Sequence, residues 1–448
     1  MTESNFDVLS KLRKDAAAVF SAGIDAVQGD HAVSNHCRVD GNVLHADDSH
    51  FNLDRFERIF VTGAGKATAH MARAMEKLAG DRIAGGVISV KYGHGQNLKK
   101  IRVMEGGHPV FDQNSVQNAE AIVSMAENAG ADDLVIFLLS GGASALMAKP
   151  APPITIDEKQ EAVKQLLSCG ADIDSINTIR KHISLVKGGR LAEAAYPATL
   201  LTLVISDVVG DPLDVIGSGP TVPDTTTYGD CLRIIEGLGI SNKLSASIRE
   251  RLEAGAAGRL PETPRADDRI FLRTRNHIIA ANAMALKAAR MKAESLGYNT
   301  VVLSSMIEGD TRAAARVLSS VAKEVRKTGN PVPPPACLLS GGETTVVVSG
   351  GGKGGRSQEF ALSAAFEIAG MDNLVVLAGG TDGTDGPTDA AGGIVDGKTV
   401  SESQKKGIEA ESHLARNDSY HFLSRTGEIL VTGPTGTNVM DMHIFLVA

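Results

Sequence analysis

The sequence predicts an α/β fold, in which a mostly parallel sheet is covered by helices on both faces. Strand-like and helix-like segments alternate from residue 58 to residue 205, and this alternation is typical of βαβ units. The segment 134–139 is apolar at every position, as expected of a strand that is buried on both faces. We therefore predict a three-layer α/β/α sandwich that binds its ligand at the carboxyl ends of the strands.

Hydrophobic spacing and turn residues place the individual elements. Strands are predicted at 58–62, 86–90, 101–104, 134–139, 199–205, 300–303 and 336–339. Helices are predicted at 5–27, 66–79, 115–129, 156–168, 174–185, 276–296, 311–327 and 358–369. The stretch 254–268 is polar and rich in glycine and proline, which is typical of a linker. We therefore expect one domain at 1–250 and a second at 251–448.

Composition narrows the class of protein. The 448 residues are 43% hydrophobic and 22% charged, as in ordinary globular proteins, and the net charge of −8 argues against a general nucleic-acid binder. No apolar run approaches the roughly 20 residues of a membrane span. The four cysteines form no CxxC pair and the N-terminus has no signal-peptide pattern, so we expect a cytoplasmic protein with reduced thiols.

The first candidate motif is the turn Gly63-Ala64-Gly65 followed by Lys66 at a helix start. A glycine turn before a helix N-terminus favours anion binding. The dinucleotide fingerprint GxGxxG fits poorly, because Thr68 occupies the third glycine position, and the Walker A spacing is absent. The Lys66 ammonium is a candidate phosphate ligand, and the alternative is an exposed lysine at a tight turn.

The second candidate is the run Ser140-Gly141-Gly142-Ala143-Ser144, which follows the strand 134–139. Its hydroxyl and N–H groups are suited to a ligand at the expected crevice, and the alternative is a tight strand–helix turn. The pentapeptide Leu-Leu-Ser-Gly-Gly at 138–142 recurs at 338–342. We interpret both copies as strands that turn tightly and present N–H groups, although five residues are also compatible with coincidence.

The third candidate is a basic stretch in an acidic protein, with Arg180, Lys181, His182, Lys187 and Arg190 inside eleven residues. This pattern suits an anionic substrate. The alternative is a solvated basic helix face in which His182 is a structural hydrogen-bonding group.

Further candidates are carboxylates that follow strands. Asp207 and Asp211 follow the strand 199–205, and Asp382 and Asp385 lie in the glycine-rich loop 379–392. Such carboxylates can hold Mg²⁺ while phosphates supply its other oxygens, and the alternative is an Asx-type turn. Arg356 follows a glycine cluster at a helix start, where a guanidinium can stabilise phosphoryl charge.

Taken together and in this order, the motifs resemble class II glycerate kinases. The most specific segments are 63–67, 106–110, 138–146, 180–192, 206–224, 354–359 and 379–392, so the resemblance covers nearly the whole chain. Ser357 stands where asparagine is common in that family. The resemblance implies a Rossmann-like N-terminal domain, a smaller α/β MOFRL-type C-terminal domain and an active site in the cleft. It also implies ATP-dependent phosphorylation of D-glycerate at the 2-hydroxyl with Mg²⁺, and Lys66 and Arg356 match the positions assigned to catalysis.

On this basis we assign roles and partners. The predicted catalytic residues are Lys66, Arg356 and Asp207, with Asp207 as acceptor of the hydroxyl proton. The predicted substrate-binding residues are Ser140, Gly141, Gly142, Ser144, Arg180, Lys181, His182, Lys187 and Arg190. The predicted ATP-binding residues are Gly63, Gly65, Gly217, Ser218, Gly219, Gly354, Gly355, Gly379 and Gly380. The predicted metal ligands are Asp211, Asp382 and Asp385.

Two other functions stay open at this point. One is an NAD(P)H-dependent hydroxypyruvate reductase, which the missing fingerprint disfavours, and the other is a non-catalytic sensor of sugar acids or nucleotides. The expected partners are ATP and D-glycerate, without nucleic acid or membrane. The sequence leaves the oligomeric state open, with a homodimer among the options.

Overall fold

The computed structural model describes residues 3–448, with side chains from residue 8 onward. The chain forms two compact units. The N-terminal unit comprises Gly29–Ser206 and Asp211–Ile279, and the C-terminal unit comprises Met1–Gln28, Asp207–Gly210 and Ala280–Ala448. The division that we predicted at residue 250 falls within a helix of the N-terminal unit.

The N-terminal unit contains two sheets and the helices that flank them. Its strands are β1 (Cys37–Asp40), β2 (Val43–Ala46), β3 (Ser49–Asn52), β4 (Arg58–Ala64), β5 (Ile83–Lys91), β6 (Ile101–Gly106), β7 (Asp133–Leu139), β8 (Thr199–Ile205) and β9 (Thr274–Ala280). Its helices are α2 (Gly29–His36), α3 (Thr68–Ala79), α4 (Gln113–Glu127), α5 (Ala143–Leu146), α6 (Ile156–Ser168), α7 (Ile173–His182), α8 (Arg190–Ala195), α9 (Tyr228–Gly237) and α10 (Ala246–Ala256).

The larger sheet of this unit has the order β6-β5-β4-β7-β8-β9. The pairs β6–β5, β5–β4, β4–β7 and β7–β8 are parallel, and every residue of β7 is buried. Successive strands are added on one side from β4 to β6 and then on the other side from β7 onward. The direction changes between β4 and β7, and such a switch point is where doubly wound folds bind ligands. The predicted Rossmann-like α/β fold is therefore confirmed.

The C-terminal unit is built on one mixed sheet. Its strands are β10 (Asn299–Asp310), β11 (Ala336–Thr345), β12 (Leu374–Gly380), β13 (Gly392–Asp396), β14 (Ile429–Leu430) and β15 (Asp441–Val447), in the order β10-β11-β15-β12-β13-β14. Its helices are α1 (Glu3–Val27), α11 (Asn282–Ser295), α12 (Thr311–Thr328), α13 (Arg356–Glu367), α14 (Thr399–Lys405), α15 (Ala410–Ala415) and α16 (Ser419–Thr426). The β10–β11 pair is parallel, whereas β15 is antiparallel to both β11 and β12. Helix α1, although first in the chain, packs here against β12 and α11.

Two sequence predictions about this region are wrong. The helix expected from residue 276 begins only at Asn282, because residues 274–280 form β9. The β-branched pair Ile278–Ile279 favours a strand, and apolar spacing alone did not reveal the break before the helix.

The second error concerns the repeated pentapeptide. Ser140 and Gly141 leave the sheet after β7, but Ser340, Gly341 and Gly342 continue β11 and pair with β15. A Cβ at Gly341 would lie 2.1 Å from Asn282 Oδ1, so this glycine permits a close approach within the sheet layer. The two copies are therefore different structures.

None of the helices within residues 3–448 has the length and apolarity that crossing a bilayer requires.

Candidate active site

The turn after β4 is closed by hydrogen bonds within the protein. The N–H group of Lys66 donates to Gly141 O (2.9 Å), and that of Gly65 donates to a carbonyl oxygen of β5 (3.1 Å). The N–H group of Ala67 donates to Ser140 Oγ (3.1 Å). In a phosphate-binding glycine turn, the same N–H groups would donate to the phosphate. The N–H donors of the anion site predicted here are therefore used within the protein.

Packing of β4 against β7 explains the two glycines of this turn. A Cβ at Gly63 would lie 2.3 Å from Leu138 O, and a Cβ at Gly65 would lie 2.1 Å from Ser140 Oγ. Gly65 also has a φ of 141°, in the range that favours glycine. Packing therefore accounts for Gly63 and Gly65, and their predicted contact with ATP stays a prediction. The Ser140 hydroxyl, predicted to bind substrate, fixes this turn.

Two side chains lie over Gly142 at the start of the next loop. Gly142 has a φ of 87°, and a Cβ there would lie 2.9 Å from the His108 ring and 3.4 Å from Lys66 Cγ. The structure therefore brings Lys66, from the turn after β4, next to the loop after β7. His108 was absent from the predicted site, although the Gly-Gly-His-Pro-Val motif at 106–110 was the available signal.

A chain of polar contacts continues from this loop. The Lys187 ammonium is completely buried and donates to Ser144 Oγ (2.9 Å) and to Gly217 O (3.2 Å). Ser144 Oγ and Ser218 Oγ are 3.1 Å apart, and Ser218 Oγ donates to Asn177 Oδ1 (3.1 Å). Lys187, Ser144 and Ser218, all predicted, are thus brought together, and Asn177 is an addition that the sequence did not indicate.

The backbone at 217–219 is in an uncommon conformation. Gly217, Ser218 and Gly219 have φ angles of 60°, 63° and 61°. Glycine adopts this region freely, but serine does so at a cost of about 1 kcal/mol or more. Ser218 is also buried, so the fold holds its hydroxyl in place at the expense of local strain.

Three neighbouring cations in this unit, Arg180, Lys187 and Lys159, have no carboxylate partner among the described side chains. Burial lowers the pKa of Arg180. Burial lowers the pKa of Lys187 well below its ordinary value, and the charges of Arg180 and Lys159 lower it further. Burial, assisted by Arg180, lowers the pKa of Lys159 to about 7. Buried charges without partners are costly, so this cluster is suited to an anion. Lys159 is a third residue, after His108 and Asn177, that the sequence analysis missed.

Two predicted substrate ligands are occupied by structural partners. Lys181 Nζ lies 3.2 Å from Asp224 Oδ1, whose side chain is fully buried. His182 has Thr178 O at 2.8 Å from Nδ1 and Glu262 Oε2 at 3.2 Å from Nε2. Both side chains already have partners inside the unit, so the predicted substrate contacts of Lys181 and His182 stay predictions.

Arg190, unlike Lys181 and His182, has donor atoms without a partner in the protein. Its Nε and Nη2 atoms are buried without a hydrogen-bond partner, while Nη1 lies 3.6 Å from Glu193. These orphaned donors are compatible with the predicted substrate contact, which stays a prediction.

The C-terminal unit contains the second predicted cation in a dense set of acids. Arg356 donates to Asp441 through Nε (2.6 Å) and Nη2 (3.2 Å) and to Glu343 through Nη1. Burial opposes the charge of Arg356, but Asp441 and Glu343 outweigh it and raise the pKa of the guanidinium. Burial raises the pKa of Asp441 against the opposing effect of Arg356. Arg356 is therefore held rigidly in a two-carboxylate clamp.

Asp385, one of the predicted metal ligands, caps helix α13. Its carboxylate accepts hydrogen bonds from Ser357 N (3.2 Å), Gln358 N (2.8 Å) and Gln358 Nε2 (2.9 Å). Burial and the nearby charge of Asp441 nevertheless raise the pKa of Asp385 to about 7. With its oxygens engaged in this way, Asp385 positions the helix start that carries Arg356.

The glycines predicted to bind ATP in this unit are needed for packing. A Cβ at Gly355 would lie 2.3 Å from the Asp385 carboxylate, and one at Gly354 would lie 2.2 Å from Ser419 Oγ. Similar clashes would arise at Gly379 with Phe20 (2.7 Å) and at Gly380 with Thr384 O (2.9 Å). An ATP contact at these glycines stays a prediction, because packing already accounts for them.

Within residues 8–448, no group of three or more His, Cys, Asp or Glu side chains is placed to hold a metal ion. Asp382 Oδ1 accepts from Thr384 N (3.0 Å) and Thr384 Oγ1 (3.1 Å). Asp211, in the N-terminal unit, has an Oδ1 atom that is buried without a hydrogen-bond partner. Of the predicted ligands, Asp211 is therefore the one whose geometry calls for a further contact.

The fold defines a Rossmann-like α/β protein, and comparisons with known proteins specify its class. Residues 15–253 match the "Domain of unknown function (DUF4147)" and residues 336–441 match the MOFRL family. The D-glycerate 2-kinase of Thermotoga maritima is 39% identical over 437 residues, which cover 97% of this chain and 98% of the relative. A relative from Agrobacterium vitis, 41% identical over 87% of both chains, carries the provisional name of hydroxypyruvate reductase.

Solved structures agree with this relationship. The crystal structure of glycerate kinase from Thermotoga maritima has a TM-score of 0.87 and 38% identity, covering 98% of this chain and 100% of that one. The chain therefore belongs to the glycerate kinase family that combines a DUF4147 region with a MOFRL region.

Proposed function

We propose that this protein is a glycerate 2-kinase, which transfers the γ-phosphoryl group of ATP to the 2-hydroxyl of D-glycerate. The observation that supports this most directly is the cation pair formed by the buried Lys187 and the half-buried Arg180, which has no carboxylate partner among the described side chains. It lies in the parallel-sheet unit of a chain that is 39% identical to a D-glycerate 2-kinase over nearly its full length. A short carboxylate is the kind of ligand that such a cation pair accommodates.

The residues of the N-terminal unit can orient the acceptor. The carboxylate of glycerate would pair with Arg180 and Lys187, while the hydroxyls of Ser144 and Ser218, already ordered by Lys187, would bind its hydroxyl groups. Oriented donors of this kind raise the rate by fixing the attacking group before reaction. This arrangement would select a short hydroxy acid over a neutral polyol.

The transfer step places charge on the phosphoryl group. The 2-oxygen of glycerate forms a bond to the γ-phosphorus, the bond to the β-phosphate oxygen breaks, and ADP leaves. Asp207, directly after β8, is the proposed acceptor of the hydroxyl proton. The Lys66 ammonium and the clamped guanidinium of Arg356 are the proposed stabilisers of the transferring group.

ATP is expected to bring Mg²⁺ with it. Magnesium bound to nucleotide phosphates keeps several waters and takes only one or two protein carboxylates. Asp211 fits this role because its buried Oδ1 lacks a partner, and Asp382 is a further proposed ligand. Asp385 does not fit, because it accepts three N–H bonds as a helix cap. The metal would neutralise phosphate charge during the transfer.

The competing activity is hydroxypyruvate reduction, which the provisional name of one relative suggests. Hydride transfer needs a nicotinamide dinucleotide, whose pyrophosphate normally binds free N–H groups at the first βα turn. In this chain those N–H groups donate within the protein. The turn geometry therefore favours the kinase.

One experiment separates the two functions. The purified protein is given D-glycerate with Mg²⁺-ATP, and the product is analysed by phosphorus NMR, while NADH or NADPH oxidation with hydroxypyruvate is followed in parallel. We expect ADP and 2-phosphoglycerate in equal amounts and no nucleotide oxidation. Nicotinamide oxidation without ADP release would overturn the proposal.

A further inference from the structure

Lys159 lies on α6, a helix that carries none of the motifs discussed above. The side chain is 1% exposed, and its Nζ atom is buried without a hydrogen-bond partner. The nearest recorded interaction is with the face of the Phe111 ring, whose centroid is 5.8 Å from Nζ. A cation over an aromatic ring gains about 1 kcal/mol, which is far less than the cost of burying an ammonium without a hydrogen bond.

The charged groups that interact with Lys159 are cations. Arg180 on α7 is the charged group that acts on Lys159, and Lys159 in turn acts on Lys187 in the segment before α8. No carboxylate contributes to the pKa of these three groups among the described side chains. On α6 itself, the neighbouring Glu158 is engaged elsewhere, with Thr155 and Ser247.

The same unit contains another buried lysine, whose charge is balanced by a carboxylate. Lys181 is equally buried, yet it pairs with the buried Asp224. A fold that only needed a long side chain at residue 159 would be better served by methionine, because an apolar group avoids the desolvation cost. The unpaired amine at this position is therefore explained by a ligand that supplies the missing negative charge.

We propose that Lys159 is a substrate-binding residue, and that with Arg180 and Lys187 it forms a buried subsite for the carboxylate of the hydroxy acid. This inference rests on the proposed function for the identity of the acid, whereas the subsite itself follows from the unpartnered, buried Lys159 Nζ and from three cations that lack a carboxylate partner. A carboxylate has about four lone-pair sites, which is enough for two ammonium groups and one guanidinium.

The proposed subsite makes the affinity for glycerate depend on pH. With a pKa of about 7 in the empty protein, Lys159 is charged below pH 7 and largely neutral above it. A bound carboxylate favours the charged form and raises this pKa. Binding therefore takes up protons above pH 7, and the affinity for glycerate falls as the pH rises from 7 to 9.

The test compares Lys159→Met with Lys164→Met, a change on the same helix at a lysine whose side chain is 78% exposed. We expect Lys159→Met to raise KM for D-glycerate about 30-fold or more, to change KM for ATP less than twofold and to keep or raise Tm without ligand. Lys164→Met should behave as wild type. An unchanged KM for glycerate, or equal increases in both KM values with a lowered Tm, would overturn the proposal.

Lys159→Arg and a neutral substrate analogue provide a second line of evidence. Lys159→Arg keeps its charge at every pH, so it should bind glycerate with a weaker pH dependence between 7 and 9 than wild type. D-glyceramide, which lacks the carboxylate, should distinguish wild type from Lys159→Met less than twofold. A full pH dependence in Lys159→Arg, or an equal loss for glyceramide and glycerate, would contradict the subsite.

Calorimetric binding of D-glycerate without ATP separates this inference from the proposed function. If wild type binds glycerate but produces no phosphoglycerate, the kinase proposal fails while the subsite is still measured. If wild type phosphorylates glycerate and Lys159→Met binds it equally well, the subsite fails and the kinase proposal stands.

Discussion

The ammonium of Lys187 donates a hydrogen bond of 2.9 Å to Ser144 Oγ, and this contact joins two motifs that are 43 residues apart in the chain. Ser144 belongs to α5, just after the central strand β7, and Lys187 precedes α8. Because Lys187 is completely buried, its position is fixed by the fold. The contact connects the Ser-Gly-Gly loop to the basic segment that we propose to bind the acceptor.

Replacing Lys187 with methionine should weaken use of glycerate. The change removes hydrogen bonds to Ser144 Oγ and Gly217 O and one cation of the proposed subsite. Charge-assisted hydrogen bonds contribute about 1.5–3 kcal/mol each, so we expect kcat/KM for glycerate to fall by about 100-fold. Steady-state kinetics measure this, with the exposed Lys243→Met as control, and a loss below threefold would contradict the assignment.

Two substitutions at Ser218 can distinguish the cost of backbone strain from the role of the hydroxyl. Its φ of 63° is unfavourable for serine but not for glycine, whereas its hydroxyl bonds to Asn177 and Ser144. We expect Ser218→Gly to be more stable than Ser218→Ala by about 1 kcal/mol. Both should raise KM for glycerate about equally. Denaturant unfolding and kinetics provide the two readouts, and equal stabilities of the two variants would argue against backbone strain.

Lys66 and Arg356 should respond differently to mutation, although both are predicted catalytic residues. Lys66→Met should lower kcat by about 100- to 1,000-fold, the range typical of a lost electrostatic stabiliser. Arg356→Met leaves Asp441 buried and unpaired, so it should also destabilise the protein by about 3 kcal/mol.

Two controls accompany this comparison. Lys77→Met tests an exposed lysine on α3, the helix that follows Lys66, and it should keep full activity. The double variant Arg356→Met with Asp441→Asn should recover part of the lost stability without recovering kcat. Near-normal turnover of Lys66→Met would refute its catalytic role.

The stability of the protein should depend on pH through Asp385. Its pKa is raised to about 7 in the folded protein, from an ordinary value of 3.8. A carboxyl with a raised pKa stabilises the fold fully below pH 3.8, and this contribution is lost as pH rises to 7. The loss is at most about 1.4 kcal/mol per pH unit, and the N–H donors to its carboxylate reduce it.

The Asp385→Asn variant tests this effect because asparagine does not titrate in this range. Unfolding free energies between pH 4 and 7 should decline less steeply in Asp385→Asn than in wild type. The exposed Asp372→Asn provides the control. An identical pH slope for wild type and Asp385→Asn would show that Asp385 does not carry the raised pKa.

Sequence patterns were most informative where local chemistry determines the structure. The strand β8 and the helix α6 lie at the residues that the hydrophobic pattern predicted. Lys66 was predicted to start the helix after the first strand of the parallel sheet, whereas α3 begins at Thr68 and Lys66 lies in the turn before it. The glycines at 63 and 65 were also recognised as special, and the structure adds their close contacts with Leu138 and Ser140.

The basic segment shows why the site itself was only partly predictable. Arg180, Lys181 and His182 are consecutive, so on a helix they point about 100° apart and enter three different surroundings. Arg180 faces other cations, Lys181 reaches Asp224, and His182 bonds to Thr178 and Glu262. The sequence shows three basic groups but not which of them already has a partner.

What the sequence alone determined is the family, the parallel-sheet unit and the presence of a lysine and an arginine beside glycine-rich turns. These follow from local periodicity, turn chemistry and motif order, which neighbouring residues fix. Only the tertiary structure decided that the turn after β4 is closed by Ser140, that Asp385 is a helix cap and that Lys159 is buried without a partner. The physical reason is that burial and hydrogen-bond satisfaction depend on residues brought from distant segments of the chain.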